Sequence, residues 1–299
     1  MVTFSVVVPT YNRAALLPRA LDSVLHQTEP SFEIVVVDDG STDDTEAVVR
    51  GYADERVRFL TQPNGGVCAA RNTGARAAHG DRLVFLDSDD ELVPDALARF
   101  RAAADDNGWA VVVSGWTRVS ADERDHVSCV PERSGAAPQL VGPYLPGAFA
   151  LDRAVFDAAG GYDELLRFGE NTALGWRVRE VLARTHQTVG MIHEPLVLRY
   201  SQPGRAFDRQ RYEAAVRILD AYAAVLRDPV TGAAAPRHRR ANFQGVAGSS
   251  AAALGLRREA WRYALAALRS EPDSLTRYRG LLAVALATTR RDGVRQSKR

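Results

Sequence analysis

Lysine is almost missing from this chain of 299 residues: Lys298 stands alone, and 38 − 1 = 37 of the basic residues are arginine. The skew reads as coding bias in a GC-rich genome and carries no chemistry. Cysteine is scarce too, and Cys68 and Cys129 lie far apart with neither CxxC spacing nor a histidine cluster nearby. A disulfide framework and a structural zinc site are therefore excluded, and a reducing compartment is expected. There is no charge of either sign to spare, with 38 basic against 37 acidic residues. No chain-wide field draws nucleic acid or an anionic bilayer, so partners are sought in local sites. No run approaches the roughly 18 consecutive apolar residues a membrane span requires, the longest candidate being Gly280 to Ala287. The beginning of the chain passes directly into Phe4–Val8 without a basic segment and a long apolar core, which reads as a strand and not a signal peptide. These absences together predict a cytoplasmic protein. Only the basic tail from Arg290 to Arg299 offers peripheral contact with the inner face of a membrane.

What is present is a hydrophobic content of 46%, enough for a full core. Short apolar runs at Phe4–Val8, Ile34–Val37, Val57–Leu60, Leu83–Leu86 and Ala110–Val113 alternate with helical patterns. Continuous Val/Ile/Leu runs suit strands buried on both faces, so an α/β fold with an open, mostly parallel sheet flanked by helices is expected. Leu17, Leu21, Val24 and Leu25 repeat at helical spacing, and Ser41 with Asp44 reads as a capped start to a helix carrying Val48 and Tyr52. Beyond residue 205 strand signals stop. Arg211–Leu226, Ala241–Leu254, Glu259–Leu268 and Ser274–Thr288 all carry helical spacing, with Arg237, Arg239 and Arg240 read as a linker or exposed turn. The organisation expected is residues 1–205 as a ligand-binding α/β domain and 206–299 as a helical region with a basic tail, suited to dimerisation, docking or membrane contact.

Polar residues collect where the strands end. Pro9-Thr10-Tyr11-Asn12-Arg13 follows the first, Asp38-Asp39-Gly40-Ser41 the second and Asp87-Ser88-Asp89-Asp90 the fourth. Open α/β sheets bind ligands beyond the strand C-termini, so three chain-distant clusters converge on one crevice. Paired carboxylates such as Asp87 and Asp89 suit a hard divalent cation that also takes phosphate oxygens. The competing role for Ser88 or Asp89 is to cap the helix after Pro94. Asp38 and Asp39 can accept from a nucleobase or ribose, or simply turn the chain. Arg71, in a Gly-led helix entry, can face a diphosphate together with the helix N-terminus, or can be a solvated arginine. Cys68 and His193 read as core residues. A nicotinamide dehydrogenase is disfavoured, because the first strand leads into Pro-Thr-Tyr-Asn-Arg and not into a G-x-G-x-x-G turn.

Five ordered motifs carry a family resemblance: Ser5–Asn12 (SVVVPTYN), Glu33–Asp43 (EIVVVDDGSTD), Gly66–Gly74 (GVCAARNTG), Phe85–Asp90 (FLDSDD) and Gly160–Glu164 (GGYDE). Over roughly residues 3–205 the chain resembles the inverting glycosyltransferases of family 2, with the GT-A fold of nucleotide-diphospho-sugar transferases. The resemblance implies that Pro9, Thr10, Tyr11, Arg13, Asp39, Arg71, Asp87 and Ser88 line the donor nucleotide, with Thr10, Tyr11 and Asp39 at the base and ribose. It implies further that Asp87 and Asp89 hold Mg²⁺ or Mn²⁺. The donor would be a UDP-, GDP- or dTDP-sugar, and the acceptor a glycan, a lipid-linked or a small-molecule hydroxyl. Two positions depart from the family pattern: Glu170-Asn171 stands where a Glu-Asp pair is usual, and Gln202 precedes Pro203-Gly204 where many relatives have histidine. Glu170 is then the expected general base, with Asp163 and Glu164 as alternatives. A nucleotidyltransferase, which would release pyrophosphate, and a nucleotide-sugar-binding protein with impaired chemistry and a helical interaction module are the competing functions.

Overall fold

The computed structural model describes residues 3–119, 124–127, 146–200, 209–223 and 235–270. By internal contacts the chain divides into two compact units, Met1–Glu164 with Glu170–Gln202, and Leu165–Gly169 with Pro203–Arg299.

In the first unit, four strands form a parallel array: β1 (Phe4–Thr10), β2 (Phe32–Asp38), β3 (Val57–Thr61) and β4 (Arg82–Phe85). The helices between them are α1 (Leu17–Leu25), α2 (Thr45–Arg50) and α3 (Val67–Ala77). There follow β5 (Glu91–Leu92), α4 (Ala96–Asn107), β6 (Trp109–Val119), β7 (Arg124–Val127), β8 (Phe149–Asp152), α5 (Arg153–Ala158), α6 (Glu170–Thr185) and β9 (Thr188–Tyr200). The strand order is β3-β2-β1-β4-β8-β6-β9-β5, with β7 on β6. The sheet is thus parallel over its first four strands and mixed beyond, because β8 pairs antiparallel with both β4 and β6.

The apolar runs alternate between two cores. Val6, Val8, Ile34 and Val36 pack with Leu17, Leu21, Leu97 and Phe100 on one face. Val7, Val35 and Val37 pack with Cys68, Ala70, Phe156, Leu174 and Val178 on the other. Burial on both faces is why these strands read as unbroken hydrophobic runs. A Cβ at Gly74 would overlap Cγ1 of Val7, so only glycine lets α3 lie this close to β1.

Three local expectations are corrected. Ser41 does not cap α2: its hydroxyl is engaged by Asp38 and by the Asn12 N–H, while Asp43 accepts the Thr45 N–H at 3.1 Å. His193 is exposed, not core, because the β6–β9 register jumps from Ser114↔Ile192 to Gly115↔Pro195 and pushes His193 and Glu194 out of the ladder. Arg237, Arg239 and Arg240 lie in a helix and not in a linker.

The second unit contains α7 (Arg209–Ala221), α8 (Ala235–Ala253) and α9 (Arg257–Ser270). Small residues bring α8 and α9 together: Ala241, Ala247, Ala251, Ala260, Ala264 and Ala267 are all buried. The expected helix Ser274–Thr288, the basic tail, Cys129 and Gln202 lie outside the described residues. No helix among the described residues is long and apolar enough to cross a membrane.

Candidate active site

β2, β1 and β4 are neighbours and end together. Leu86 continues the β4 ladder by donating its N–H to the Val7 carbonyl at 3.0 Å, so the segments after each strand emerge at one edge.

On the β2 side, Asp39 donates its N–H to the carbonyl of Thr10 at 2.9 Å. Its buried carboxylate accepts from Gln62 Nε2 at 2.7 Å, Gly65 N–H at 2.8 Å and Gly66 N–H at 2.7 Å. Asp39 therefore pins the loop that opens α3, a role invisible in the sequence. Asn12 sits at φ 52°, a conformation asparagine tolerates, and its Oδ1 accepts the Thr42 N–H at 2.8 Å. Pro9 and Thr10 are buried at the end of β1, and Oγ1 of Thr10 has no hydrogen-bond partner among the described residues. Tyr11 beside it is 47% exposed.

On the β4 side, the Asp90 N–H closes a turn onto the Asp87 carbonyl at 3.1 Å, with Ser88 buried within it. No cap is involved, since α4 begins only at Ala96 and its Leu97 N–H is taken by Gln27 Oε1 at 3.0 Å. Arg19 of α1, which the sequence did not single out, donates to the Asp89 carbonyl at 2.9 Å and packs over the Tyr200 ring at 3.6 Å. Arg13 Nη1 lies 3.7 Å from Asp89 Oδ2. Asp87, Asp89 and Asp90 each present a carboxylate oxygen, and these lie within 4.8 Å of one another. Burial, reinforced by the charge of Asp87 and then Asp89, pushes the Asp90 carboxyl up to about 8 against the opposing Tyr200 N–H.

Arg71 joins this turn to α6. Its side chain is 2% exposed, far from the solvated arginine that was the alternative. Nη2 donates to Asp87 Oδ1 at 2.7 Å and Nη1 to Glu170 Oε1 at 3.4 Å. Its guanidinium carbon stands 5.0 Å from the centre of the Tyr162 ring. Burial works against the charge, but Asp87, Tyr162 and Glu170 outweigh it and hold the guanidinium pKa above its ordinary value. Glu170 opens α6, whose Leu174, Val178, Val181 and Leu182 are buried, so the helix is anchored with this carboxylate toward Arg71. The competing carboxylate Glu164 is engaged by Asn72 Nδ2 at 2.9 Å.

The crevice thus gathers a carbonyl-pinned acidic loop, a turn rich in carboxylates and a buried arginine. Residues 5–155 match the family described as Glycosyl transferase family 2. The chain belongs to that family. Among its curated relatives is the Succinoglycan biosynthesis protein ExoO of Rhizobium meliloti, 36% identical over 184 residues, covering 58% of this chain and 52% of that protein. Another is the uncharacterized glycosyltransferase EpsJ of Bacillus subtilis, 37% identical over 125 residues, covering 41% of this chain and 36% of that one. This family 2 chain therefore spans about half or less of the relatives' length. The crystal structure of S. aureus TarS 1–349 in complex with UDP-GlcNAc superposes with TM-score 0.64 at 19% identity over 99% of this chain and 92% of that one. The corresponding UDP complex gives 0.59 at 19% identity over 90% and 88%. The likeness establishes the GT-A fold.

Proposed function

We propose that this glycosyltransferase moves a sugar from a nucleoside-diphosphate sugar to an acceptor hydroxyl by a single displacement that inverts the anomeric centre. The observation that carries the reading is Arg71, a buried cation that links a turn of three carboxylates to a single helix-borne carboxylate. Thr10, Tyr11, Arg13 and Asp39, with the buried Pro9 as floor, line the end for base and ribose. The half-exposed Tyr11 ring and the unpaired Thr10 hydroxyl are suited to a nucleoside. Ser88 and Asp87 lie next along the crevice toward the diphosphate.

Asp87, Asp89 and Asp90 fit a divalent cation such as Mg²⁺ or Mn²⁺: three carboxylates this close repel, and at Asp90 that repulsion adds to the burial that chiefly raises its carboxyl. A cation bound there would supply positive charge for the departing nucleoside diphosphate. Glu170 takes the acceptor proton, and Arg71 holds its carboxylate at the crevice end of α6. Because the TarS structures carry UDP and UDP-GlcNAc, a UDP-sugar is the first donor to try, before GDP- and dTDP-sugars. The relative named for succinoglycan biosynthesis favours a growing polysaccharide as acceptor, over other lipid-linked or small-molecule hydroxyls. The helical unit is assigned to acceptor docking, dimerisation or membrane contact.

The test is a screen of nucleotide sugars for donor hydrolysis and for transfer, with and without Mg²⁺ or Mn²⁺. Metal-dependent release of nucleoside diphosphate supports the reading. Pyrophosphate release indicates a nucleotidyltransferase, and donor binding without turnover indicates a binding protein.

A further inference from the structure

Asn171 stands where the family resemblance leads one to expect an aspartate, and an amide takes no proton. Its surroundings give it another use. The Tyr162 hydroxyl donates to Asn171 Oδ1 at 3.1 Å, and Asn171 Nδ2 donates to Glu170 Oε1 at 3.1 Å. An ionised carboxylate only accepts, so the amide must turn its NH₂ toward Glu170, which leaves Oδ1 to accept from the phenol on the other side.

That phenol is fixed from several directions. The Tyr162 ring meets Phe85 edge-on at 5.2 Å and packs against Phe156 at 5.9 Å. Its backbone is clamped both ways by Asn72, which accepts the Tyr162 N–H at 2.8 Å and donates to the Tyr162 carbonyl at 2.9 Å. Gly161 makes this clamp possible: at φ 66°, a Cβ there would meet Asn72 Oδ1 at 2.7 Å. Burial pushes the phenol pKa up, so it stays a donor.

We propose that Tyr162 and Asn171 form a hydrogen-bonded relay that aims the Glu170 carboxylate, so that Asn171 is a positioning residue and not the remnant of a lost base. The proposal rests on Glu170 serving as base in the transferase reading. Glu170 is then held from two sides, by the Asn171 amide on its own helix and by Arg71 on α3. The relay needs a donor at position 171, and an ionised aspartate offers only acceptors. In Asn171→Asp the new carboxylate would face Glu170 and the phenol oxygen, and Glu170 is itself paired with Arg71, which also holds Asp87.

The experiment compares wild type, Asn171→Asp and Tyr162→Phe in transfer from the donor that the screen identifies, recording kcat, KM and donor affinity between pH 5.5 and 8.5. Asn171→Asp is expected to lose at least tenfold in kcat at pH 8 with donor affinity within twofold. Its activity relative to wild type should rise as pH falls, because a protonated aspartic acid donates again. Tyr162→Phe should lower kcat several-fold with donor affinity kept. The opposite outcome, an Asn171→Asp enzyme faster than wild type whose advantage grows with pH, overturns the relay and makes position 171 a seat for the base. Equal kcat in all three proteins at all pH values also overturns it. Absence of turnover in the wild type itself would instead strike the transferase reading on which the relay depends.

Discussion

Nη1 of Arg71 and Oε1 of Glu170 lie 3.4 Å apart, and this contact joins residues separated by 99 positions in the chain. Because Arg71 also holds Asp87, the carboxylate at the start of α6 is tied to the carboxylates at the end of β4. Glu170→Gln keeps the size and the first helical turn but removes the basicity. Its kcat should fall by roughly 10²–10⁴ with donor affinity nearly unchanged. Steady-state kinetics with calorimetry on the donor decide it, and a near-native kcat would move the base to Asp163 or Glu164.

Asp89→Ala should abolish metal-dependent turnover while the fold persists. The side chain is 18% exposed and its ion pair with Arg13, itself 39% exposed, is long at 3.7 Å, a pairing that adds little to stability. The melting midpoint should therefore change little, equivalent to less than about 1 kcal/mol, whereas metal titration should lose its response. Retained Mn²⁺ or Mg²⁺ activation in the mutant would sink this assignment.

Asp39→Asn tests two roles at once. The carboxylate accepts three hydrogen bonds from the loop that opens α3, and an amide sets an NH₂ group against at least one of those donors. A stability loss of about 1–3 kcal/mol by chemical denaturation is expected, together with weaker nucleotide binding. Lost stability with unchanged affinity would confine Asp39 to the loop.

At the opposite end of the strands, buried Glu33 accepts from Ser5 Oγ at 2.6 Å, His79 N–H at 2.5 Å and Arg58 Nη1 at 2.6 Å. Burial opposes the charge, but these bonds outweigh it and hold the carboxyl below its ordinary value. With the folded pKa below the unfolded one, the unfolded chain binds more protons in between. The stabilisation is present above the ordinary glutamate range and is lost as pH falls through the folded value. Glu33→Gln should flatten that acid limb of the stability curve and lower the plateau at neutral pH, measured by urea unfolding from pH 3 to 7. An acid limb identical to wild type would contradict it.

Some of this protein was determined by sequence alone. The stretches Val6–Val8, Ile34–Val37 and Leu83–Leu86 are apolar at every position because both faces are covered, and continuous burial leaves a mark that needs no partner to be read. The convergence of Thr10, Asp39 and Asp87 follows equally, since side chains just past parallel strands must share an edge. Other features were settled only by tertiary contacts. His193 looked like a core residue until the register jump against β6 turned it outward. Asp39 read as a ligand group, and only the folded loop showed three donors already on its carboxylate. Asp90 and Arg19 carried no signal beyond their neighbours, because their roles depend on Tyr200 arriving from the far end of β9. Asn171 is the clearest case: its letter says only that a proton acceptor is missing. The direction in which the amide points was decided by Tyr162 and Glu170 across the fold, for a hydrogen bond has a sense that exists only once both partners are in place.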